Sequence, residues 1–147
     1  MSDDPNQTPP PIAPPFAPMP PPPPSPPNFE AQARTWNMLC HLSALSGYLI
    51  PFGHILGPLI VWQLKKNEYP SVDVHGKAAL NFQITVTLAL LVSAASAVML
   101  SFFCIGWLLF PVVAAIGLAG LVLLIIAAIK ASNGEDFKYP CSIEFVK

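Results

Sequence analysis

Residues 78–129 read AALNFQITVTLALLVSAASAVMLSFFCIGWLLFPVVAAIGLAGLVLLIIAAI. No Asp, Glu, Lys or Arg occurs in these 52 positions. A helical crossing of a bilayer needs about 20 apolar residues, so the stretch is long enough for two. Cys104-Ile105-Gly106 marks the break between them, and Pro111 falls in the first turns of the next helix, where proline is tolerated.

A second charge-free stretch runs from Trp36 to Leu64, 29 residues. It is too long for one straight crossing, and Pro51, Gly53, Gly57 and Pro58 interrupt it. Its halves, 36–50 and 52–64, would each be about 20 Å long as helices. They read as a hairpin of two short helices turning at Pro51-Phe52-Gly53, crossing a thinned membrane or re-entering without crossing. One tilted, kinked crossing is the alternative. The fold class is therefore an all-α integral membrane protein, with four hydrophobic helices forming two hairpins.

Basic residues set the orientation. Arg34 precedes the first stretch, Lys65, Lys66 and Lys77 lie between the two, and Lys130, Lys138 and Lys147 follow the second. Both hairpin tips are uncharged. Two hairpins put every basic residue on one side, the cytoplasmic side by the positive-inside rule. Both termini are expected there.

Residues 1–28 hold 14 of the 19 prolines. Such a segment reads as a disordered, solvated polyproline II tail, apart from a helical membrane domain at 29–147. Pro11-Ile12-Ala13-Pro14 and Pro15-Phe16-Ala17-Pro18 fit a PxxP ligand, although so proline-rich a stretch yields that spacing by chance. Asp3 and Asp4 stand where a signal peptide would be basic.

Composition narrows the function. Hydrophobic residues make up 53% and charged residues 10% of the 147 positions, against about 25% charged in a soluble domain. A net charge of −1 offers no field for nucleic acid. No nucleophile motif, phosphate loop or intramembrane carboxylate pair is present, so no enzymatic activity and no cofactor is expected. His41, His54 and His75 are not at helical ligand spacing, and there is no Cys-x-x-Cys, which disfavours a metal site.

Polar residues within apolar helices need partners. Asn37, His41, Ala44 and Tyr48 share one helical face, as an ion path or as interhelical ties. His54 sits beside the hairpin tip, where it would meet interfacial water. Asp73, His75 and Lys77 form the densest titratable set, at the mouth of the third helix, with Asn81 and Gln83 just below. A ligand or proton site is one reading; the other has Ser71 or Asp73 capping the helix and the rest tying it to its neighbours. Thr85, Ala89, Ser93, Ala97 and Ser101 make a small-residue ridge, with Ala115, Gly117, Ala119 and Gly120 as counter-surface. Packing within the hairpin is preferred over homo-oligomer formation.

Several ordered motifs resemble a known family. They are Trp36-x-x-Leu39-x-His41-Leu42-Ser43-x-Leu45-x-Gly47, Gly57-Pro58-Leu59-Ile60-x-Trp62-x-x-Lys65-Lys66, His75-Gly76-Lys77-x-Ala79-Leu80-Asn81-Phe82-Gln83, and Lys130-Ala131-x-Asn133-Gly134-Glu135 with Tyr139-Pro140. Over residues 34–147 the chain resembles a bacterial Tic-like family of small membrane proteins. That family is related to the four-helix Tic subunit of the chloroplast inner-envelope protein import machinery. The resemblance implies a four-helix membrane domain. The expected function is a non-enzymatic partner or assembly component of a membrane complex, with lipid and other membrane proteins as partners. A small oligomeric channel or carrier is the alternative.

Overall fold

The computed structural model describes residues 27–102 and 105–147. Most of the proline tail, with both PxxP segments, lies outside these residues, as do Phe103 and Cys104. The described chain is helical: α1 Pro27–Leu42, a 3-10 segment Ser43–Tyr48, α2 Gly53–Lys65, α3 Pro70–Ser101, a 3-10 turn Gly106–Leu109 and α4 Phe110–Ser132. Pro70 and Pro111 occupy first-turn positions of α3 and α4, where a missing N–H costs nothing.

The first hairpin forms, but with boundaries other than those expected. Its first helix starts nine residues earlier, at Pro27, and gives way to 3-10 geometry after Leu42. Serine hydroxyls compete for backbone acceptors there: Ser43 Oγ donates to the Cys40 carbonyl, and Ser46 Oγ to those of Ser43 and Gly53. Ser46 thereby joins both arms. Phe52 turns the chain in the left-handed conformation, at φ 62°. Gly53 then passes so close to Ser46 that a Cβ would lie 2.5 Å from its carbonyl oxygen. Gly57 and Pro58 do not interrupt α2, which runs through both.

α3 and α4 form the second hairpin. Of the helices described, these two are long and apolar enough to cross a membrane: Pro70–Ser101, and Gly106–Ser132 counting the 3-10 turn. Their most apolar windows are only 6% and 17% buried. The core helix of a soluble protein would be mostly covered, so these surfaces need an apolar environment outside the chain.

Packing concentrates at one end. Cys40, Tyr69 and Val72 form one cluster with Ala33, Trp36 and Val61 around them; Phe82, Ala127 and Tyr139 form another. α1 lies against both α3 and α4. Ala97 is buried and meets the backbone of Gly106 through its carbonyl oxygen. Ala89 and Ser93 are half-buried, and Ser101 is exposed. On α4, Gly120 approaches Val86, a Cβ on Gly117 would touch nothing within 4 Å, and Ala115 and Ala119 face outward. The ridge thus meets its neighbours at separate points.

Candidate functional site

The polar end is built around two histidines. His41 ends α1 and His75 lies in the second turn of α3; both are almost fully buried. His41 Nε2 lies 3.1 Å from His75 Nδ1, and His41 Nδ1 lies 2.9 Å from the Tyr139 hydroxyl. His75 Nε2 is 3.4 Å from Asp136 Oδ1. An ionised carboxylate only accepts, and that sets the order. With the proton of His75 on Nε2, the side of Asp136, His41 Nε2–H donates to His75 Nδ1 and the Tyr139 hydroxyl donates to His41 Nδ1. Burial, reinforced by His75, lowers the His41 pKa to about 3. Burial raises that of Tyr139. The neutral forms needed by the chain of bonds are the ones favoured.

The C-terminal segment closes over this pair. The Tyr139 ring stacks on Phe82 at 3.8 Å between centroids. Asn81 grips the chain end: its Oδ1 accepts from the amides of Phe145 at 2.9 Å and Val146 at 2.7 Å, and its Nδ2 donates to the Val146 carbonyl at 3.0 Å. Thr85 Oγ1 accepts from the Ile143 amide at 3.0 Å. A cleft of about 410 Å³ remains between this strap and α3, lined among others by Asp73, Lys77, Asp136, Lys138 and Glu144.

The other candidate residues are distributed around this centre. Asn37 is buried and accepts from Ser71 Oγ at 3.1 Å. Asp73 accepts from Trp62 Nε1 at 2.8 Å and pairs with Lys77 at 2.6 Å. Neither Ser71 nor Asp73 caps α3, whose N-cap position is Tyr69 with no side-chain cap; both hydroxyl and carboxylate are engaged by other helices. Gln83 is buried beside a void of about 180 Å³. Tyr48 is 74% exposed. The 3-10 segment advances about 120° per residue against 100° in an α-helix, which rotates Tyr48 off the Asn37–His41–Ala44 face. His54 is not left to water, since its Nε2 lies 2.9 Å from Thr87 Oγ1.

Helical spacing could not reveal the His41–His75 pair, because the partners sit on different helices. Tyr139 and Asp136 were missed as members of the cluster; the aromatic Phe137 and Tyr139 following the charged Glu135-Asp136 were the available signal. Among the described residues, no three of His, Cys, Asp and Glu converge as metal ligands.

Neither a curated protein nor a solved structure matches this chain. The motifs behind the Tic-like resemblance now have local duties: His41 and His75 bond each other, Asn81 holds the strap, and Trp62 lies over Gly76. Such duties describe how short helices lock together, and they do not identify a machinery. The Tic-like assignment is overturned by a family match over residues 32–146: the chain belongs to the MamF/MmsF family, the magnetosome magnetite crystal formation protein family.

Proposed function

We propose that this protein serves magnetite crystal formation as a non-enzymatic membrane component that assembles with other membrane proteins. α3 and α4 cross the bilayer, and both termini face the cytoplasm. The observation that carries this reading is the outward apolar surface of α3 and α4 in a chain of this family. The basic end, with Lys65, Lys66, Lys77 and Lys130, supports the orientation.

Direct mineral contact from the opposite face is disfavoured on electrostatic grounds. The connection between α3 and α4 carries no ionisable group but Cys104, so no carboxylate would hold an iron ion there. A pore is disfavoured too, because Asn37, His41 and Asn81 spend their polar atoms on neighbouring helices and the strap.

Removing the chain from a magnetite-forming host should leave fewer or smaller crystals by electron microscopy, restored by the full chain. Unchanged crystals would sink the reading. Crosslinking in native membranes should recover other membrane proteins with it.

A further inference from the structure

Two tryptophans measure the membrane along α3. The Trp62 ring covers Gly76, where a Cβ would come within 2.5 Å of Cδ1. At the far end Gly106 packs on Ala97, and the adjoining Trp107 is 74% exposed. The 21 residue steps from Gly76 to Ala97 span about 32 Å of helix, close to the roughly 30 Å of a hydrocarbon core. Tryptophan favours the two interfaces. Lys65 and Lys66 stand 4.7 Å over the rings of Trp36 and Trp62, completing the first belt.

The first hairpin reaches only halfway. His54, the second residue of α2, bonds Thr87, which lies 11 steps along that 21-step ruler. The tip follows at once, and it is apolar and bare: Leu49 is 86% and Phe52 70% exposed. α2 has 13 residues, about 20 Å, too short to cross. Its outer stripe, Leu56, Ile60 and Leu64, is exposed as well.

We infer that the segment Ser43–Tyr48 and the N-terminal turns of α2 form a re-entrant wedge seated among the acyl chains of one leaflet, and that the protein therefore prefers membranes convex on that side. This rests on the reading that α3 and α4 span. The segment Ser43–Tyr48, α2, α3, α4 and the strap held by Asn81 and Thr85 then share the leaflet at the basic end, and only α3 and α4 share the other. A body wider in one leaflet fits where that leaflet is stretched, as in the outer leaflet of a small vesicle.

The test uses the full chain in phosphatidylethanolamine–phosphatidylglycerol vesicles. Single cysteines are placed by Ile50→Cys or Leu108→Cys in a background with native cysteines replaced by serine, or left at Cys141. A nitroxide from Ile50→Cys should be reached by oxygen but not by a water-soluble nickel chelate. Exposure to the chelate would put the tip in water, and exclusion of both reagents would mean a second copy covers it; either overturns the wedge. An impermeant maleimide should label Leu108→Cys and Cys141 from opposite faces. Labelling from one face would instead overturn the spanning reading.

Curvature preference is read from orientation. The fraction of chains with Cys141 outward should be higher in small sonicated vesicles than in large extruded ones. Leu49→Asn with Ile50→Asn keeps the charged end but withdraws the tip, and should abolish that difference. Equal fractions for the unmodified tip, or a difference that survives the double substitution, would overturn the inference.

Discussion

His41 and His75 meet edge to face, with ring centroids 5.4 Å apart and planes at 86°. The contact ties α1 to α3 through nitrogens that cannot both be protonated, since an imidazolium offers only donors.

That requirement gives a pH dependence with a definite sign. The folded pKa of His41 is lowered from 6.5 to about 3, by burial first and by His75 second. The unfolded chain therefore binds the extra proton over that interval, and stability falls as pH drops below about 6.5. The slope contributed is at most about 1.4 kcal/mol per pH unit. Thermal unfolding in mild detergent at a series of pH values should show the midpoint declining with acid. His41→Gln, which keeps hydrogen-bonding capacity without titrating, should flatten the decline. An unchanged slope in that variant would refute the assignment.

Asn81 should act as the clasp of the C-terminal strap. Its side chain makes three bonds to Phe145 and Val146, each contributing on the order of 1 kcal/mol. Asn81→Ala is expected to free the last residues while leaving the helices intact. Hydrogen exchange at residues 143–146 should accelerate by tenfold or more, with helical circular dichroism unchanged. Protection equal to that of the parent chain would show that Tyr139 packing and the Thr85 bond to Ile143 hold the strap without Asn81.

How much of this was legible in the sequence depended on whether the cause was local. The charge-free run from Ala78 to Ile129 announces α3, the break and α4, because apolarity and proline position act within one segment. The hairpin tip was legible from Pro51-Phe52-Gly53 for the same reason. Tyr48 was misplaced because the serine-driven change to 3-10 geometry lies in hydrogen bonds that spacing does not display. The meeting of His41 with Tyr139, 98 positions apart, depends on the return of the chain after α4. Asn81 was read as polar within the membrane, but its partner is the backbone of the chain end, which carries no sequence signature.

Two glycines separate close approach from simple tolerance. A Cβ at Gly76 would press into Trp62, whereas at Gly117 it would meet nothing within 4 Å. Gly76→Ala should cost about 1–3 kcal/mol by overpacking. Gly117→Ala should be neutral or stabilising by up to about 1 kcal/mol, as alanine is the better helix former. Melting in detergent micelles ranks the two directly. A Gly117→Ala variant as damaged as Gly76→Ala would mean that another molecule occupies the Gly117 face.

Ala97 and Ala95 provide the matching test on α3. Ala97 is 3% exposed, and its carbonyl oxygen meets Gly106, while Ala95 faces outward. The two positions are about 200° apart around the helix. Leucine at 97 must fit a branched side chain into a buried position, at about 1–3 kcal/mol of overpacking. Leucine at 95 projects into lipid and should change stability by less than about 0.5 kcal/mol. Comparison of unfolding midpoints in the same detergent decides it. A larger loss for Ala95→Leu than for Ala97→Leu would place the binding surface of α3 on its outward side, against a partner, and would remove Ala97 from the packing of the hairpin.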